Sequence, residues 1–109
     1  MDNEESSKRG VRLLYTLPET ITVHYAAELK EQLSEIVKKA DKDNEVILDA
    51  QSVEDIDASG VQLLLSCYKA VVEKQAVLKI INKNVVFENM LQLSGASCLL
   101  NEEGSFNNE

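Results

Sequence analysis

Residues 49–65, DAQSVEDIDASGVQLLL, contain the change of period that decides how the chain folds. Asp49 and Ala50 close the apolar run Val46, Ile47 and Leu48. That run is too short for a helix and is bounded by polar residues, the pattern of a short buried strand. Residues 51–57 (QSVEDID) carry three acids and no helical period, and read as a connecting loop. From Ser59 and Gly60 onward a helix opens. Val61, Leu64, Leu65, Tyr68, Val71 and Val72 recur at helical spacing and make a wide apolar stripe to lay on a sheet.

Downstream, residues 76–81 (AVLKII) read as another strand, followed by Asn82 and Asn84 as turn and cap residues. Val86, Phe87, Met90, Leu91 and Leu93 form a short third helix, and Gly95 stands where a left-handed C-terminal cap is wanted. Cys98 to Leu100 suit a last short strand. Upstream, residues 41–45 (DKDNE) are a polar linker. Residues 25–40 are helical: Leu29, Leu33, Ile36, Val37 and Ala40 share one face, with acids leading and lysines closing the segment as the helix dipole prefers. Residues 11–17 (VRLLYTL) suggest an edge strand ended by Pro18, and residues 20–23 a second extended piece. These two segments are expected to pair as a hairpin, although the turn lacks Asn-Gly or Asp-Gly chemistry. The order β, β, α, β, α, β, α, with a further β at the end, calls for an α/β fold with right-handed crossovers, a sheet mainly parallel in its middle, and helices on one face.

The chain has 109 residues, 44% of them apolar, enough for one hydrophobic core. Residues 1–10 and 101–109 are polar, acidic and without period, so the folded body is expected to run over residues 11–100 between two solvated tails. No segment is apolar enough to span a bilayer as a helix, and the acidic start is unlike a secretory signal, so a cytoplasmic protein is expected. The net charge of −8 would repel nucleic acid and an anionic membrane surface; a partner offering basic or apolar surface fits better. Cys67 and Cys98 are far apart and the chain has one His, whereas a zinc site needs about four Cys or His ligands. No metal or cofactor is expected. No Ser-His-acid constellation or phosphate-cradling glycine loop is visible, so the expectation is a binding module and not an enzyme.

Ile56-Asp57-Ala58-Ser59-Gly60-Val61 resembles the central motif of STAS domains, named for sulfate transporters and anti-sigma factor antagonists. Members carry a buried strand ending in Asp, a loop, then Asp-[Ser/Thr/Ala]-[Ser/Ala/Gly]-Gly and an apolar helix. The flanks agree: Leu17-Pro18-Glu19 through Leu33 is similar to the family's first strands and helix, and residues 82–95 (NKNVVFENMLQLSG) to its last helix. The resemblance implies the STAS fold, with a four- to five-stranded mixed sheet and about three main helices, mainly on one face. In the anti-sigma factor antagonists the serine before the motif glycine is phosphorylated, which is Ser59 here. Such proteins bind a kinase-like anti-sigma or switch protein when unmodified, lose it on phosphorylation, and regain it through a phosphatase. The implied contact surface comprises His24, Tyr25, Asp55, Asp57, Ser59, Gly60 and Gln62. Many small stand-alone members have Thr after the motif Asp, where this chain has Ala58. The other reading is a non-switching subunit of an ABC-type phospholipid transport complex or a chemotaxis-associated assembly.

Read without the family, Ser59 is an ordinary helix N-cap, a role worth about 1 kcal/mol. Asp57 is a loop-holding or partner-facing acid. Gly60 either admits a partner's backbone or relieves crowding at the helix start. His24 borders the first helix with nothing to pair it with a nucleophile. The residues alone leave these alternatives open.

Overall fold

The computed structural model describes residues 11–100, and the expected tails, residues 1–10 and 101–109, lie outside them. Strand β1 (Val11–Thr16) is followed by β2 (Thr20–Ile21), helix α1 (Ala26–Lys39), β3 (Asn44–Asp49), β4 (Asp55–Ile56), α2 (Ala58–Glu73), β5 (Val77–Ile81), α3 (Val85–Leu93) and a 3₁₀ turn (Ser97–Leu100). The strands form a three-stranded sheet in the order β1-β3-β5 and a separate pair, β2-β4, and every pairing among the described residues is parallel.

The register explains why these strands need helical crossovers. Leu13 lies beside Val46 and Val46 beside Leu78; Tyr15 lies beside Leu48 and Leu48 beside Ile80. Neighbours in register project to the same face, so these residues form one apolar surface. Leu48 and Val46 are fully buried on it, with Leu17, Ile21, Leu64, Phe87 and Leu91 packed in the same core. Helix α1 packs on α2, and α2 on β5. The opposite face exposes Leu14 and Ile81, in keeping with helices on one side.

The expected hairpin of β1 and β2 does not form. Strand β1 is used by β3 and continued by Leu17 N–H donating to the Asp49 carbonyl at 2.8 Å, while β2 pairs with β4. A tight hairpin turn needs a positive φ, and among the described residues only Gln75, Asn82 and Gly95 have one. The chain instead runs on through Pro18, burying Leu17 and Ile21 completely.

Two further expectations are corrected. Residues 97–100 form the 3₁₀ turn and not a strand, because the chain reverses at Gly95 and seats Leu99 in the core. Asn44 and Glu45, read as linker, begin β3 and are buried. Glu45 is tolerated there because Arg12 on β1 (3.5 Å) and Lys79 on β5 (3.0 Å) flank its carboxylate. Those partners come from distant segments, which no local pattern reveals.

The caps expected at α3 are present. Asn84 accepts from Phe87 N–H at 2.9 Å, and Gly95, with φ +74°, closes a Schellman turn in which Ala96 N–H donates to the Leu91 carbonyl. Helix α2 ends in the same bonding pattern, but its left-handed residue is Gln75, with φ +65°. A side chain in that conformation costs about 1–2 kcal/mol, part of which glycine gives back as chain entropy. Gln75→Gly is therefore expected to stabilise the domain by about 0.5–1 kcal/mol, seen in thermal unfolding as a Tm gain of a few degrees. A lower Tm would mean the Gln75 side chain holds a contact that outweighs its backbone.

Candidate functional site at the start of the second helix

The short β2–β4 pair builds the site. Thr20 lies beside Asp55 and Ile21 beside Ile56, and the Glu19 carbonyl accepts from the N–H groups of Glu54 and Asp55 at 2.8 and 3.0 Å. This pairing lays the segment before α1 against the segment before α2. Residues 51–57, expected as a loop, include strand β4, whose Ile56 is buried while Asp55 is exposed. The buried Ile between two acids is the only local sign of it.

Asp57, not Ser59, is the N-cap of α2. One carboxylate oxygen accepts from Gly60 N–H at 3.1 Å and the other from Val23 N–H at 3.2 Å. The Asp57 N–H donates to the Ile21 carbonyl at 3.3 Å. One side chain thus ends the orphan state of a helix amide and fastens the turn at residues 22–25, whose own closure is Tyr25 N–H to the Thr22 carbonyl at 2.9 Å. The plain reading of Ser59 as cap is corrected: Ser59 stands one position inside the helix, half-buried, and its hydroxyl makes no hydrogen bond among the described residues. Asp wins the cap because the residue with extended backbone (φ −116°, ψ −174°) immediately before the helix is at position 57.

Asp57→Ala removes both bonds. A lost cap costs about 0.5–2 kcal/mol and the second backbone bond about 0.5–1.5, so a loss of roughly 2 kcal/mol is expected, with Tm lower by on the order of 10 °C. Asp57→Asn keeps one carbonyl acceptor and should lose about half as much. Equal losses for the two variants would show that charge, and not the bonding geometry, holds the turn.

Gly60 is buried, and its closeness is to its own chain. A Cβ there would lie 2.3 Å from the Ile21 carbonyl oxygen and 2.6 Å from Ile21 Cγ2. Its place is therefore beneath the surface, letting α2 start directly against β2. His24 and Tyr25 lie on the turn tied down by Asp57, both exposed, Tyr25 at 52%. Val23, which sequence reasoning did not single out, is 61% exposed beside them; an apolar residue outside any period gives no warning of that. Asp55 and Gln62 are exposed as well. The fold thus brings the turn at 22–25 against β4 and the first turn of α2, with Val23 and Asp57, which it joins, thirty-four positions apart in sequence.

The cysteines lie apart from this site. Both are free. Burial pushes the Cys67 thiol up to about 11, so it stays protonated on the wall of a shallow apolar recess of about 290 Å³ between α1 and α2. Among the described residues no group of His, Cys, Asp and Glu side chains is placed to hold a metal ion, and no helix is long and apolar enough to cross a membrane.

No curated protein sequence matches the chain. The family model described as STAS domain matches residues 5–108. Such domains are in general binding modules that mediate contacts between proteins. With the parallel sheet and three α-helices of its described residues and the Asp-Ala-Ser-Gly turn at the head of α2, this chain belongs to the STAS domain family.

Proposed function

We propose that this STAS domain is a cytoplasmic regulatory module, resembling a bacterial anti-sigma factor antagonist, which docks on a kinase-like partner and is released when that partner phosphorylates Ser59. A cognate phosphatase resets it. The observation that carries this reading is the division of labour at the helix start. Asp57 does the capping and also holds the turn bearing exposed Val23 and Tyr25, so the half-buried Ser59 hydroxyl on the same first turn of α2 is not needed as the helix cap.

A phosphate suits this position without unfolding it. Four amides at a helix start lack intrahelical acceptors; here those of Asp57 and Gly60 are taken by Ile21 and the Asp57 carboxylate. The amides of Ala58 and Ser59 remain for an anion, which the helix dipole also favours by roughly 0.3–2 kcal/mol. The fold therefore tolerates the modification, and its effect falls on the docked surface. The absence of a hydroxyl at Ala58 leaves Ser59 as the phosphate acceptor of the motif.

The test is capture from native cells by the wild-type chain and by Ser59→Asp, with mass spectrometry of the retained proteins. The expected result is a kinase-like protein held by the wild type and lost by the variant. If both forms bring down the same transporter or receptor components, the regulatory reading fails and the domain is a fixed subunit.

A further inference from the structure

Helices α1 and α2 leave a recess of about 290 Å³ along their seam. Its floor is Leu33 and Cys67, both buried, and its walls are half-buried Val37, Leu63 and Ala70. The space exists because the seam carries small side chains, Ser34 on α1 with Ser66 and Ala70 on α2, where larger ones would interlock. Its walls are held in place from one end. Lys74, just past α2, donates its ammonium N–H to the carbonyls of Val37 and Lys38 at 2.7 and 3.3 Å and ties the last turn of α1 to α2. A molecule seated there gains dispersion contacts that the open apolar surface lacks.

The mouth carries one sign of charge. Lys30 and Lys38 line the recess and no acid does, on a chain of net charge −8. Among the described residues Lys30 has no acid partner. Lys38 has Glu35 at 3.5 Å, an exposed pair that a competing anion can displace. The Cys67 thiol on the floor stays protonated and adds no negative charge. The exposed hydroxyls of Ser34 and Ser66 supply further donors at the rim. An apolar slot with cations and hydroxyls at its mouth complements a molecule with an aliphatic tail and one anionic head. At about 30 Å³ for each water-sized group, the slot takes roughly ten non-hydrogen atoms. A nucleotide fits poorly, because the apolar floor would leave the polar atoms of its base unpaired.

We propose that the recess between α1 and α2 binds a medium-chain alkyl carboxylate, its tail against Leu33, Leu63 and Cys67 and its head at the mouth bearing Lys30 and Lys38. This site is separate from Ser59 and does not depend on the regulatory reading.

The test titrates the full, isotope-labelled chain with octanoate, 1-octanol and octylammonium and follows the backbone amides by NMR. Octanoate is expected to shift residues 30–38 and 63–70 saturably, with Kd on the order of 1 mM or tighter. Octanol and octylammonium should bind at least about tenfold more weakly, as should octanoate to Lys30→Glu/Lys38→Glu. Ala70→Leu fills the slot and should abolish binding. Ser66→Leu, at an exposed position, should do the same and keeps the test open if Ala70→Leu loses stability. Equal binding of octanol and octanoate, shifts spread beyond the two segments, or wild-type affinity in Ser66→Leu overturns the proposal. Two sedimentation results also overturn it: a wild-type dimer that Ser66→Leu dissociates, which assigns the recess to a second copy, and attachment to anionic phospholipid vesicles lost in Lys30→Glu/Lys38→Glu, which assigns it to a membrane lipid.

Discussion

Gly60→Ala is expected to lower the stability of the domain by about 3 kcal/mol and its Tm by more than 10 °C. The new methyl would sit 2.3 Å from the Ile21 carbonyl oxygen, 2.6 Å from Ile21 Cγ2 and 3.1 Å from Ile56 Cγ1. The first of these is backbone, which cannot turn aside as a flexible side chain can. Relief requires α2 to back away from β2, and the same Ile21 carbonyl accepts from Asp57 N–H. Moving either element therefore strains the cap, the β2–β4 pair and the packing of Ile21 and Ile56 together. Small-to-large changes in a packed core ordinarily cost about 1–3 kcal/mol, and contact with backbone places this one at the upper end. Thermal and urea unfolding decide it. Near-native stability with impaired partner binding would return Gly60 to the other reading, a glycine that admits a partner's backbone.

Ser59→Asp is expected to bind the proposed kinase-like partner at least a hundredfold more weakly than wild type, with Tm within about 3 °C of it. The stability half follows from position: an acid on the first turn of α2 sits at the favourable end of the helix dipole. The binding half follows from the chemistry of transfer. A partner that phosphorylates Ser59 must bring its nucleotide phosphates up to that oxygen. An acid already there meets like charge. At about 5 Å and an effective dielectric near 20 the repulsion is about 3 kcal/mol, which is roughly a hundredfold in affinity. Phosphoserine, with about 1.5–2 charges, should do more. Ser59→Ala should bind within about threefold of wild type and accept no phosphate. Calorimetric titration of the three forms against the partner reads all of this, and comparable affinity of Ser59→Asp and wild type ends the electrostatic account.

These predictions concern residues whose roles were legible in the sequence to different degrees. The helix periods placed Leu29, Leu33, Val61, Leu64 and Val71 in the core, and all are buried. Asn84 and Gly95 were recognisable as caps because capping is a short-range property: the side chain or the φ angle acts on amides and carbonyls a few residues away. The Asp-Ala-Ser-Gly turn was recognisable as a family motif for the same reason, its spacing being local.

Strand partnership was not legible. Residues 11–17 and 20–23 looked like a hairpin, since adjacency in sequence favours it, yet each pairs in parallel with a segment more than thirty positions away. Glu45 looked like linker because its two cations arrive from flanking strands. Ser59 looked like the cap because the exact start of a helix shifts by a residue with the path of the chain before it, and that path is set by β2 and β4. Periods and spacings of a few residues thus marked strands β1, β2, β3 and β5, helices α1 to α3 and the family, but neither β4 nor the closing 3₁₀ turn. Packing alone fixed that Asp57 caps the helix and holds the turn bearing Val23 and Tyr25, and that Gly60 lies against Ile21. Those facts depend on contacts between segments distant in sequence, which form only when the core is packed.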